Sequence, residues 1–177
     1  MELAMNTANL ATSLTALLSE LVYGAKPDGN FMLNAGDAGL LRALDELSAA
    51  EASQVVNGGS SIAAHVDHVA YYTRLMNRWA AGDELWHGAD WTASWRRTTV
   101  DEAGWAELRR SLADEVEKWM AVLKQPRDVN DRELATMIAT VAHLAYHLGA
   151  IRQMNRNLRG PSAEQEQEAS TSPSPHL

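Results

Sequence analysis

Cysteine is absent from the 177 residues. That excludes a disulfide framework, a thiolate metal site and a catalytic thiol, so any metal chemistry falls to histidine and carboxylate. Positive charge is scarce: 15 Lys and Arg stand against 23 Asp and Glu, a net charge of -8. This balance repels phosphate backbones and offers no basic stripe, which argues against nucleic acid and anionic membrane as partners. No basic residue precedes Lys26, so the charged start of a secretory signal is missing and a cytoplasmic protein is expected. Sustained polar/apolar alternation, the mark of strands, is also lacking, and the expected fold class is all-α. What is present is an ordinary 46% of hydrophobic residues, enough for one folded domain.

Four long helices emerge from apolar positions at three-and-four spacing. Leu10, Leu14, Leu17, Leu18 and Leu21 mark the first, which stops by Gly24 with Pro27 beyond. The long connection from Asp28 to Gly59 contains a turn at Asn34 to Asp37 and a short extra helix carrying Leu40, Leu41, Leu44 and Leu47. Ser60 or Ser61 caps the second long helix, in which Ile62, Val69, Tyr72, Met76 and Trp79 share a face and Gly82 ends the run. Thr99 with Glu102 has capping-box spacing for the third, whose face runs from Trp105 through Leu108, Leu112, Val116 and Trp119 to Leu123 before Pro126. Asn130 with Glu133 repeats that signal for the fourth, expected to reach about Leu158. The uncharged stretch Leu134 to Ile151 is long enough to span a membrane, but Thr136, Thr140, His143, His147 and Gly149 interrupt it, and a core helix explains it better. From Gly160 to the end, Pro, Ser, Glu and Gln leave little to bury, so residues 160–177 are expected to be a disordered acidic tail.

Histidine carries the chemistry. His143 and His147 are four apart and project from one face of the fourth helix, close enough to share an ion. Plotted at about 100° per residue, Leu134, Ile138, Val141, Ala145 and Leu148 fall on one side, and Thr136, Thr140, His143, His147, Ala150 and Met154 on another. On the second helix His65 and His68 both fall on the apolar side with Tyr72 and Trp79. One inward imidazole is commonly a core residue bonded to backbone or hydroxyl. Four on two helices are costly to bury unless they share a partner, and a divalent ion such as Zn, Ni, Fe or Mn satisfies several at once. A three-histidine site with no thiolate keeps an open position. The metalloprotease motif is ruled out, since Leu144-Ala145 follows His143 where that motif needs glutamate.

The segment Ser-Ile-Ala-Ala-His-Val-Asp-His-Val from Ser61, with His143-Leu-Ala-Tyr-His147-Leu-Gly-Ala-Ile-Arg-Gln, resembles the DinB/YfiT-like superfamily of metalloenzymes over about Leu3 to Leu158. The resemblance implies that residues 1–159 form a four-helix bundle of up-down-down-up order. It implies metal ligands at His143, His147 and one histidine of the second helix, His68 by its distance from Ser61, with His65 as the alternative first ligand. Ala150 stands where relatives often have glutamine, so no role is taken from that residue.

Among relatives with a known reaction are thiol-dependent transferases, including the mycothiol-dependent maleylpyruvate isomerase. By that resemblance a small-molecule substrate and a low-molecular-weight thiol cofactor are implied, with His65, Tyr72 and Tyr146 as candidates for moving protons. A metal-dependent hydrolase is the nearest variant, with the ion activating water instead. From another class comes a non-catalytic, stress-related bundle that holds a metal or small ligand, and a third reading is a bundle with buried histidines and no metal. Trp79, Trp105 and Trp119 have core spacing. Trp86, Trp91 and Trp95, in an irregular loop, line a pocket mouth or form a homodimer contact.

Overall fold

The structure, a computed structural model, describes residues 5–6, 8–26, 30–162 and 164–165. Most of the expected tail, residues 166–177, lies outside them. Six α-helices dominate: α1 (Ala8–Tyr23), α2 (Gly39–Asp45), α3 (Ala49–Ala52), α4 (Ile62–Ala80), α5 (Glu102–Leu123) and α6 (Asp131–Met154). The one strand pairing among the described residues joins β1 (Met5–Asn6) to β2 (Asp128–Val129) in antiparallel register. The chain is mostly helical, as its patterning predicts.

Helices α1, α4 and α5 bury the stripes their sequences mark. Leu14, Leu18, Leu21 and Val22 of α1 meet Trp105, Leu112, Val116 and Trp119 of α5 and Met137, Leu144 and Ile151 of α6 in one core. Trp105 and Trp119 are fully buried, while Trp79 is half-buried against that core. The long helices form a closed ring of neighbours, since α1 packs against α5 and α6, and α4 packs against the same two. Ser61, opening α4, donates to the Thr98 carbonyl just before α5 at 2.6 Å. Near the far ends of those helices Trp79 and Trp119 lie with ring centroids 6.3 Å apart. Trp79 Nε1 also donates to Glu133 in the first turn of α6. At the other end of α6, the Arg152 guanidinium pairs at 2.7 Å with buried Asp37 of the connection that follows α1.

Close approach explains two glycines in that connection. A Cβ on Gly24, at φ +99°, would sit 2.1 Å from the Asp37 carbonyl oxygen, and one on Gly39, at φ +75°, 2.4 Å from the Gly24 nitrogen. Buried Glu20 organises the same region by accepting N–H bonds from Phe31, Met32 and Leu33. Here α2 occupies the place expected of the short extra helix. The additional single turn α3, capped by Ser48 and Glu51 in a capping box, was not anticipated from apolar spacing.

Two helix boundaries and one buried face differ from expectation. The cap of α5 is Asp101, whose carboxylate accepts the Gly104 N–H at 2.8 Å; Thr99 lies before it, and Glu102 instead accepts the Ala49 N–H of α3. The short aspartate side chain reaches the first-turn donor directly, freeing the glutamate to bridge two helices. α6 stops at Met154 because Asn155 turns extended and caps a separate 3-10 turn, Arg156–Leu158. Ile138, placed on the apolar side by the helical plot, is 47% exposed, and the buried side runs instead through Met137, Thr140, Val141, Leu144, His147, Leu148 and Ile151. Beyond α6 the chain returns to the bundle, and the Pro161 carbonyl accepts from Asn34 Nδ2 at 2.7 Å.

Candidate metal centre

Ser61 caps α4 by accepting the Ala64 N–H, which sets the phase of the first turn. His65 and His68 then face α6, where His143 and His147 present their rings from consecutive turns. The structure brings His68, His143 and His147 together, with one ligand nitrogen from each lying within 4.8 Å of the others. His143 Nε2 is 3.2 Å from His68 Nε2 and 3.0 Å from His147 Nε2. Two nitrogens on a tetrahedral ion with bonds of about 2.05 Å stand about 3.3 Å apart, so His143 lies at coordination spacing from both of its partners.

His65 stands outside that trio. Its Nδ1 is 2.8 Å from His147 Nδ1, on the side of His147 away from His143. One of the two nitrogens carries the shared proton, and with it on His147 the Nε2 of that ring is bare for an ion. His68 is tied in the same manner, its Nδ1 lying 2.8 Å from Ser94 Oγ. Sequence reasoning did not find Ser94, because a lone serine in an aperiodic loop carries no local signal.

The tryptophan loop roofs the cluster. Trp95 stacks on His68 with centroids 4.3 Å apart and planes 22° apart, and meets His65 edge-on at 5.1 Å. Trp91 lies 6.3 Å from His68, and Trp86 and Tyr72 are 5.2 Å apart. Tyr72 packs on His143 at 4.2 Å. Tyr146 touches the His147 ring edge-on but is 68% exposed, and His87 stays at the surface. The lightly polar stripe of α6 has a structural use at Thr140, which accepts from Trp119 Nε1 and donates to the Met137 carbonyl. Beneath His143 a cavity of about 10 Å³, lined by Tyr72, Thr73, Thr140 and Trp119 among others, leaves room for about one water.

Burial disfavours the charged imidazoles. It lowers the pKa of His65, and with the nearby charge of His65 it lowers that of His68. His143 is pushed down to about 4 by burial and then by His68, and His147 to about 3 by burial and then by His143, His65 and His68. Neutral imidazole is the ligand form, so the residues fit a divalent ion in charge state as well as in spacing. The Tyr72 phenol is raised to about 12 by burial and stays protonated at neutral pH.

Among the described residues α6 alone is long and apolar enough to cross a membrane, yet it packs against α1 and α4 and carries two of the clustered histidines. Neither the curated proteins nor the solved structures give a significant match to the chain. A family model described as the DinB superfamily matches residues 32–151, the span that contains α4 and both histidines of α6, and the chain belongs to that superfamily.

Proposed function

We propose that this protein binds a divalent metal ion through His68, His143 and His147 and works as a metal-dependent enzyme, with low-molecular-weight-thiol-dependent S-transfer as the favoured reaction. The observation that carries the reading is the convergence of three neutral ring nitrogens from two helices at 3.0 and 3.2 Å. In this reading the bundle runs up-down-down-up. Support comes from Ser61 meeting Thr98 at one end and Trp79 lying near Trp119 at the other, which fits α4 parallel to α5. Trp79 at Glu133 fits α6 antiparallel to α4, and β1 beside β2 with Asp37 at Arg152 fits α1 parallel to α6. The reading also places the protein in the cytoplasm, where small thiols stay reduced.

A divalent ion such as Zn, Ni, Fe or Mn, held by these three histidines, supplies a Lewis acid that makes a thiol or a water acidic at neutral pH. The chain's own part is positioning and proton control. Trp86, Trp91 and Trp95 exclude water and offer an apolar wall to a small electrophile. The protonated Tyr72 hydroxyl belongs to the ring packed on His143 and is the group best placed to donate a proton to a leaving group. Because His65 Nδ1 is engaged by His147, His65 orients that ring rather than shuttling protons, and exposed Tyr146 is too open for a controlled transfer. A non-catalytic metal-holding bundle is the second reading, favoured by the roof, where Trp95 lies stacked on His68. Hydrolysis stays the variant favoured by the water-sized cavity under His143.

Elemental analysis of untagged protein after dialysis against metal-free buffer tests the site. About one ion per chain is expected, lost in His68→Ala and His143→Ala and retained in His65→Ala. Wild-type protein that binds no ion even after reloading refutes the metal reading. Loaded protein that consumes a thiol together with an electrophile supports transfer, water-dependent turnover without thiol supports the hydrolase, and binding without turnover supports the holding bundle.

A further inference from the structure

We propose that Ser94 is a positioning residue for His68. Its hydroxyl, carried on the loop between α4 and α5, holds His68 as the Nδ1–H tautomer and aims Nε2 at His143, so that seating of the loop and readiness of the site are one event. This rests on the metal-binding reading above for its consequence, though not for its geometry.

Ser94 Oγ donates its single proton to the Trp91 carbonyl at 2.7 Å. Toward His68 Nδ1, at 2.8 Å, the hydroxyl therefore offers only a lone pair, and the imidazole must be the donor. A neutral imidazole has one N–H, so with Nδ1 protonated Nε2 is bare, which is the form a metal requires. Turning the ring over by 180° would exchange both nitrogens for carbons and lose the Ser94 bond along with the approach to His143. Trp95, the next residue, stacks flat on the same ring at 4.3 Å, so two successive loop residues hold both the tilt and the rotation of His68.

The loop is fastened to α4 around this contact. Tyr71 Oη accepts the Asp90 N–H at 2.7 Å, Asp90 Oδ1 accepts the Ala93 N–H at 2.8 Å to begin the 3-10 turn Ala93–Trp95, and Ser61 Oγ donates to the Thr98 carbonyl. Ser94, 3% exposed, sits at the centre of that strap. The strap also covers the histidines, so admitting a substrate from the tryptophan side means lifting Ser94 away from His68. Ion affinity and loop seating are then linked reciprocally: a bound ion favours the seated loop, and a lifted loop weakens the ion.

The test uses the full-length protein. Two-dimensional 1H–15N spectra of the histidine rings in metal-free protein are expected to show His68 protonated at Nδ1 in wild type, a shift toward the Nε2–H form in Ser94→Ala, and recovery in Ser94→Thr. Zinc affinity, measured by competition with a chromophoric chelator, is expected to fall about 10- to 100-fold in Ser94→Ala, the usual effect of losing a partner of a ligating histidine, and to return in Ser94→Thr. Tyr71→Phe, which removes the hold on Asp90 without touching His68, is expected to weaken zinc in the same direction. His68 protonated at Nε2 in metal-free wild type overturns the proposal, as does a Ser94→Ala protein whose tautomer and zinc affinity are unchanged. Wild type that binds neither zinc nor nickel, iron or manganese refutes the proposed function instead, and the ring spectra of the metal-free protein then still decide the role of Ser94.

Discussion

His147 is 1% exposed and hydrogen-bonded on both ring nitrogens by other histidines. Its folded pKa of about 3 lies well below the unfolded value of about 6.5. A group depressed in this way leaves stability intact above the unfolded pKa. As pH falls from 6.5 toward 3, the unfolded chain takes up a proton that the folded protein refuses, and stability drops by up to about 1.4 kcal/mol per pH unit for that group. His143, depressed to about 4, acts in the same sense. Metal-free protein is therefore expected to lose thermal stability steadily between pH 6.5 and 5, before most carboxylates protonate. A midpoint that is flat across that window, followed by calorimetry, contradicts neutral burial of the cluster. At this scale the sequence showed which residues were chemically unusual but not which atoms would meet. His65 and His68 lie three apart on one face, and only the rotation of α4 against α6 places His68 with His143 and puts His65 behind His147.

Helix starts follow local rules where a side chain has one donor within reach. The Asn130 and Glu133 capping box was legible because each side chain serves the other's backbone, independent of tertiary contacts. Asn130→Ala is expected to cost about 1 kcal/mol, measured by urea denaturation, with the slope of the transition unchanged. A loss below a few tenths of that amount would mean that α6 is held at its start by β2 and by the Trp79 bond to Glu133 alone. The α5 start misled because two capping patterns overlap, and the nearer aspartate prevails while Glu102 finds a partner 53 residues away. Helix α6 shows a different limit. With no charge between Leu134 and Ile151, nearly every face is apolar enough to bury, so periodicity cannot say that Met137 goes inward while Ile138 faces solvent.

For the whole molecule, the proposed ion bridges α4 and α6, two helices separated by the tryptophan loop and by all of α5. An ion that binds the folded chain and not the unfolded one adds about 2.7 kcal/mol when its free concentration is 100 times its dissociation constant. For a domain of this size that corresponds to roughly 5 to 10 °C. Removing metal with a strong chelator and dialysing is expected to lower the midpoint by about that much in wild type and not in His143→Ala. An unchanged wild-type midpoint favours the bundle of buried histidines without an ion.

Residue spacing by itself determined the helical class, the four long helices and the i, i+4 histidine pair, because helical hydrogen bonds and side-chain periodicity are local and repeat with the chain; the DinB resemblance rests on the residues of the segments from Ser61 and from His143. Tertiary structure decided how each helix is rotated about its axis, which histidine of α4 faces the pair on α6, and where the tryptophan loop lies. Those outcomes depend on how apolar surfaces and buried donors are shared between segments far apart in sequence. Ser94 reaches His68 across 26 residues only because the loop is fastened to α4 at Tyr71 and Ser61.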